Sequence, residues 1–473
     1  MSFDYDAVVV GTGPNGLSAA ISLAQAGKSV LVMEAKDTIG GGVRSAELTL
    51  PGFIHDVCAA IFPLALTSPY LKTLPLEEYG LELVHSPLEL AHPLDDGGVV
   101  VAERSFEATA EKLGVDRDAY ITLMRSIIDD WDDIAEDLLG PLPFPPKHPL
   151  AFAGFSLLAA RPARNLAKSY FQTDRARALF AGMAGHSIMS LDALGSGAFG
   201  LVMSALSHTV GWPLVRGGAQ NLADAMGSYL KSLGGEIVTN SPVESLDQLP
   251  PSKALLLDIT PRELLRIGAD RLPFGYKRQL GRFRYGPGVF KIDYALDGPI
   301  PWTAEECSQA ATVHLGGSLE EIAASERLVG KGEHPEKPYI LLAQQSLFDP
   351  TRAPEGKQTA WAYCHVPNGS TFDMTERIEA QIERYAPGFR DVILQRSTRN
   401  TAQLEAYNPN YVGGDIVSGT QDLRQLYTRP VPRLNPYVTP LKNVYLCSAS
   451  TPPGGGVHGM CGYYAARTAL KNI

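Results

Sequence analysis

The sequence predicts an α/β protein of two lobes. One is a Rossmann-type domain with a parallel sheet, assembled from separated segments; the other mixes antiparallel sheet and helix. Three observations predict it. The chain begins with strand, glycine turn, helix, strand and acid, up to Glu34. A second passage from strand through glycines to helix runs from Val444 to Cys461. Between them, residues 286–405 carry alternating apolar runs of the kind that form antiparallel strands. At 473 residues the chain also exceeds the roughly 250–300 at which a single core stops growing.

The first strand is Tyr5 to Val10, short, apolar and followed at once by Gly11-Thr12-Gly13-Pro14-Asn15-Gly16. Leu17 to Gln25 has helical apolar spacing, with Gly27 as its C-cap. Ser29 to Met33 is a second buried strand, ending at Glu34. Gly11 permits the tight turn, Gly13 lets backbone approach a pyrophosphate, and Gly16 lets the helix pack close to the strand. The helix N-terminus offers free N–H groups to the phosphates. Glu34 stands near the ~20-residue spacing at which a carboxylate accepts ribose hydroxyls. Pro14 and Asn15 within the turn, and Ala35 and Lys36 after the acid, belong to the same expected dinucleotide site. Gly40-Gly41-Gly42-Val43-Arg44 follows. A nicotinamide site does not need a second glycine cluster with an arginine; a flavin dinucleotide has more phosphate and ribityl chain to hold. The alternative is a flexible loop with a solvated arginine.

Residues 105–139 read as acidic helix, Asp129 to Asp133 included; without calcium-loop spacing this is a solvated face. Residues 141–149 are proline-rich and extended. Leu150 to Ala160 is nearly all apolar, with Arg161, Arg164 and Lys168 beyond it. It is too short to span a bilayer, so residues 150–168 read either as a peripheral membrane contact or as a buried helix. Ala219 to Leu233 is a helix, Glu236 to Thr239 and Leu255 to Ile259 are strands, and Pro242 to Leu246 is a further candidate strand. Val289 to Leu296, Tyr339 to Gln344 and Thr359 to His365 supply the antiparallel sheet, and Ile378 to Tyr385 is a helix. Val444 to Cys447 is the last strand; the glycines of 454–456 lead from it to a helix near Cys461. This turn supplies a second set of backbone donors, as a flavin ring requires at N1 and O2. The expected division is 1–75, 206–285 and 406–473 for the cofactor domain, and 76–205 with 286–405 for the substrate lobe.

Composition excludes other classes. The net charge is −10, which argues against nucleic acid as a partner. Five scattered cysteines, with no CxxC pair, are neither a disulfide framework nor a redox dithiol. No metal-ligand spacing is present. An acidic start without a basic leader, and no run of ~20 apolar residues, point to a cytoplasmic location, with the membrane contact above as the qualification.

The stretches VVVGTGPNGLSAAISLAQAGKSVLVMEA, GGGVR and SASTPPGGGVHGMCGYYAAR resemble the phytoene desaturase-like flavoproteins of the amine oxidase superfamily. FKIDYALDGPIPW, QQSLFDPTRAPEGK and WAYCHVPNG resemble the branch labelled pyridine nucleotide-disulphide oxidoreductase domain proteins, although the chain lacks a dithiol. The resemblance implies non-covalent FAD under a roofing second lobe. It implies Gly11, Gly13 and Gly16 at the pyrophosphate, and Glu34 at the adenosine ribose. It places Gly41, Gly42 and Arg44 along phosphates and ribityl chain, and Val243 at adenine. Gly455, Gly456, Val457 and His458 would lie near the isoalloxazine. Ser448 departs from the usual glycine after the last strand; it offers a hydroxyl and an N–H.

Such relatives move hydride at carbon in long lipophilic molecules. The expected activity is FAD-dependent dehydrogenation or desaturation of a carotenoid- or isoprenoid-like substrate. A flavin-dependent isomerase or saturase, and a non-catalytic FAD-bound interaction protein, are the alternatives. His458 and His55 are the candidate catalytic histidines, each also readable as structural. Asp56 and Cys58 lie beside His55; His186, His208, Trp212, Tyr363 and His365 are weaker candidates, and Cys461 reads as a packed helix-start residue.

Overall fold

A computed structural model describes residues 3–141, 145–426 and 428–473. The proline-rich stretch expected at 141–149 falls partly on 142–144, outside the described residues. Two main sheets organise the chain. The first is five-stranded and wholly parallel, in the order Val444–Leu446, Ser252–Leu257, Tyr5–Val10, Val30–Met33, Glu236–Val238. The Tyr5–Val10 strand is buried from Ala7 on because it lies third of five. Helix Pro14–Gln25 follows it after three residues, with Pro14 at the first turn, where its missing N–H costs nothing.

The C-terminal helix Met460–Ala469 crosses this first helix at very short range. A Cβ on Gly462 would fall 1.8 Å from the Asn15 carbonyl oxygen, so only glycine fits the crossing. The end of the described chain is thereby locked onto its beginning.

The second sheet has seven strands, in the order Ile393–Arg399, Gly288–Leu296, Gln358–Val366, Ile340–Ala343, Thr312–Leu315, Leu90–Pro93, Val99–Ala102. Its pairs are antiparallel except where Thr312–Leu315 meets Leu90–Pro93. The Gly288–Leu296 strand is buried at all nine residues. Helices including Arg117–Asp129, Asp174–Gly185 and Ser196–Thr209 form the rest of this lobe. One hydrophobic core runs unbroken from Ala7, Val9 and Leu17 of the first lobe to Tyr120, Phe171 and Tyr339 of the second. A separate core fills the antiparallel sheet, around Ile292, Leu342 and Ala362.

Two expectations are revised and one, the helical acidic region, is refined. Pro242 to Leu246 is not a strand: the segment is irregular and closes in a short 3-10 turn at Leu246–Gln248, held by the Ser245 capping box. The acidic helical region is three helices, Phe106–Lys112, Arg117–Asp129 and Trp131–Leu138. The apolar stretch is helix Pro149–Ala159, but it buries only Phe155 and Ala159, so it is not an interior helix. No helix among the described residues is long and apolar enough to cross a membrane.

Candidate functional site

A cavity of about 440 Å³ opens at the carboxyl ends of the parallel strands and runs under the second lobe, where open α/β sheets bind ligands. Its floor is the first glycine turn. Gly11 has φ +99°, and a Cβ on Gly16 would fall 2.1 Å from the Gly11 carbonyl oxygen. The turn therefore folds only with hydrogen at both positions. Gly41 brings the second glycine cluster onto the first: its Cβ would lie 2.9 Å from Gly13 Cα.

Of the residues expected from sequence, the cavity brings together Gly11, Gly13, Pro14, Asn15, Glu34, Ala35, Lys36, Gly41, Gly42, Arg44, Val243, Ser448, Gly455, Gly456 and Val457. Gly16 lies behind the turn and contributes packing. Glu34 is buried and heavily engaged. It accepts from the Thr12 N–H at 3.1 Å, from the Thr12 hydroxyl, and from the Lys36 N–H at 3.0 Å. Arg44 reaches it at 3.0 Å while donating to the Thr38 carbonyl. Arg44 thus arrives at the cavity with its charge already matched, not as a free cation.

His458 and His55 do not line the cavity. His458 accepts from the Met460 N–H through Nδ1 at 3.0 Å, which puts its proton on Nε2, facing the Gly454 carbonyl at 3.2 Å. Both nitrogens are committed, and burial lowers its pKa to about 4. This geometry is that of a residue holding the glycine segment 454–456. His55 meets the Thr49 hydroxyl at 2.8 Å and lies 3.7 Å from Asp293; burial, with Lys291 and Arg352 nearby, lowers its pKa to about 3. It belongs to a buried ionic cluster in which Arg352 bridges Asp56 at 2.8 Å and Asp349 at 3.1 Å.

Cys58, His186, Trp212 and Tyr363 do line the cavity, whereas His208, His365 and Cys461 do not. His365 pairs with Glu326 at 2.9 Å. Asp258, Tyr407, Asn410 and Tyr411 are wall residues that sequence reasoning misses. Asp258 falls within Leu255 to Ile259, read from sequence only as a buried strand; the structure ends that strand at Leu257, beside the first, and so places Asp258 at the edge where ligands bind. The 407–411 segment is a loop brought in from far along the chain, and nothing local marks it.

The site fits a flavin dinucleotide. Two glycine clusters meet at van der Waals limits on the floor, and Asn15 Oδ1 is buried there without a partner among the described residues. A third glycine segment, 454–456, with φ +120° at Gly454 and +127° at Gly456, stands across the cavity. Fold and site together define a two-lobed FAD-dependent oxidoreductase. Residues 15–271 match the family described as flavin containing amine oxidoreductase, and the chain belongs to that family. It is 27% identical to pyridine nucleotide-disulfide oxidoreductase domain-containing protein 2 of Rattus norvegicus, over 99% of this chain and 94% of the relative. A limonene dehydrogenase polypeptide of Castellaniella defragrans is 23% identical, over 99% and 95%. A neurosporene-forming phytoene desaturase of Rhodobacter capsulatus is 25% identical, over 96% and 92%. Among solved structures, an oxidoreductase from Methanosarcina mazei shares the fold at TM-score 0.68 and 16% identity, covering 98% of this chain and 99% of that one.

Proposed function

We propose that the protein dehydrogenates or desaturates a lipophilic, isoprenoid- or carotenoid-like substrate, passing hydride to FAD. One observation carries this. Among the described residues, no Asp, Glu, Lys or Arg of segments 76–205 and 286–405 lines the cavity. That part of the wall is built from residues such as Phe199, Met203, Leu341, Leu342, Trp361 and Tyr363. Such a wall desolvates an apolar chain and offers an ammonium group no counter-charge. The relatives named for limonene and phytoene support the reading.

Within it, Gly11, Gly13, Pro14 and Asn15 hold the pyrophosphate and Glu34 the adenosine ribose, beside Ala35 and Lys36. Gly41, Gly42 and Arg44 follow the phosphates and ribityl chain, Val243 lies at adenine and Ser448 at the phosphates. Gly455, Gly456 and Val457 meet the ring, and His458 fixes their loop. The bound flavin supplies the hydride acceptor. The apolar wall excludes water and aligns the C–H bond, and this positioning contributes more than any single side chain. Helix Pro149–Ala159 is assigned to peripheral membrane contact: Leu150 is 89% and Leu157 76% exposed.

The test is anaerobic titration of the flavin spectrum with phytoene, limonene and putrescine. Bleaching by a polyene or terpene is expected. Bleaching by the amine alone would overturn the proposal.

A further inference from the structure

Three carboxylates stand in the cavity wall near the glycine turn: Glu34, Glu263 and Asp258. Two have cations. Glu34 is paired with Arg44 at 3.0 Å, and Glu263 with Arg266 at 2.8 Å. Asp258 has none among the described residues. It follows the strand Ser252–Leu257, next to the first strand, and its backbone N–H binds the Val10 carbonyl at 2.8 Å. From there its carboxyl lies against all three glycines of the turn. Oδ2 accepts from the Gly16 N–H at 3.0 Å. A Cβ on Gly13 would meet Oδ2 at 2.8 Å, and one on Gly11 would meet Asp258 Cβ at 3.2 Å.

This is the floor on which the FAD pyrophosphate is placed, and the inference rests on that placement. The pyrophosphate brings two negative charges to a carboxyl without a counter-ion. Like charges at such range in a partly desolvated site are strongly unfavourable. Other groups facing Asp258 do not relieve this. Glu34 raises the Asp258 pKa instead of lowering it. Cys447, just past the neighbouring strand, and Cys461 on the C-terminal helix have thiol pKa values raised by burial and stay neutral. Asn410 donates to the Asp258 backbone carbonyl, not to its carboxyl.

We propose that FAD binds this protein together with one proton, which is taken from solvent by the Asp258 carboxylate. The protonated carboxyl then changes from a repelled acceptor into a hydrogen-bond donor for a pyrophosphate oxygen. Burial, reinforced by Glu34, already holds its pKa at about 7 before the cofactor arrives, and the phosphates raise it further. The sign follows. FAD affinity is full below about pH 7 and falls as pH rises above it, by up to about tenfold per pH unit for one coupled proton.

The test is calorimetric titration of the apoprotein with FAD in two buffers of different ionisation enthalpy, at about pH 6 and about pH 8. Uptake approaching one proton at the higher pH, and little at the lower, is expected. Asp258→Asn should remove the uptake and flatten the pH dependence of Kd. FAD binding by the unaltered protein with no proton uptake at about pH 8 overturns the proposal, as does an Asn variant that keeps the uptake. If that variant does not fold, the FAD-induced rise in Tm of the unaltered protein, followed across pH, reads the same linkage. Its constancy would likewise overturn the proposal. Gly13→Val binding FAD as tightly as the unaltered protein would instead remove the pyrophosphate from the turn, and the inference with it.

Discussion

Gly16 is the residue at which sequence, backbone and cofactor meet most directly. Its missing Cβ would sit 2.1 Å from a carbonyl oxygen that cannot move without undoing the first strand. Gly16→Ala should cost about 1–3 kcal/mol as an overpacking change and release the flavin, read as the ratio of flavin to protein absorbance after gel filtration. Arg352 presents the opposite case, a large side chain whose loss is felt through charge. It is fully buried between Asp56 of the first lobe and Asp349 of the second. Arg352→Met leaves buried Asp56 without its guanidinium and buried Asp349 with only Arg216 at 3.9 Å, and an unfolding titration in urea should show a loss of about 3–5 kcal/mol. The glycines and Glu34 are legible in the sequence because their chemistry is local: spacing alone sets turn, helix start and acid. Arg352 and Asp258 are not, because each matters only through neighbours far along the chain. Sequence places His458 beside the correct loop, but which way its ring points is decided by two backbone groups that no spacing reports.

At the scale of elements, strands with strong apolar runs are legible to within three residues, and the parallel sheet follows from them. The segment 242–246 misleads because the apolar side chains of Val243 and Leu246 are buried without strand pairing, and Ser245 caps a short 3-10 turn there. Helix Pro149–Ala159 shows the limit of composition most clearly. Its residues are as apolar as a core helix, yet Leu150 and Leu157 project outward. Beyond it, Arg164 pairs with Asp192 and Glu320, and Lys168 with Glu320, so these two cations already have carboxylate partners within the protein. A vesicle contact would then rest on the apolar face more than on anionic lipid. Replacing Leu150 and Leu157 together by Ser should shift stability by no more than about 0.5 kcal/mol each, as for other exposed positions. The same change should reduce co-flotation with neutral phosphatidylcholine vesicles several-fold. Unchanged flotation would remove this helix from the membrane.

At the scale of the whole molecule, buried histidines set the response to acid. Burial lowers the pKa of His92, His208 and His458 to about 4 and of His55 to about 3, and lowers that of His314 as well. Each is neutral in the folded protein but takes up a proton near pH 6.5 once unfolded. Stability should therefore fall as pH drops below about 6.5, each such residue contributing up to about 1.4 kcal/mol per pH unit until its folded pKa is reached. Chemical denaturation between about pH 7.5 and pH 4.5 should show a steep, cooperative loss. A flat profile would mean that these rings are charged in the folded state. The two-lobed plan is legible because the chain leaves and re-enters one α/β pattern. The continuous core joining the lobes is not, since it is made of contacts between segments that periodicity treats separately.

The parallel sheet is also an order of events. Its central strand, Tyr5–Val10, leaves the ribosome first, but one of its two neighbours, Ser252–Leu257, emerges only after the whole first excursion into the other lobe. One edge strand, Val444–Leu446, and the helix that Gly462 seats against the first helix are synthesised after the other four strands. Until then the nascent chain carries an apolar strand with an open edge, the kind of surface that chaperones cover and that pairs wrongly when left alone. The glycine turn is synthesised early, yet the walls that enclose its ligand are synthesised late. Cofactor capture is therefore an event that follows translation rather than one that guides it, and starving cells of flavin should leave a chain that completes synthesis and then fails to persist.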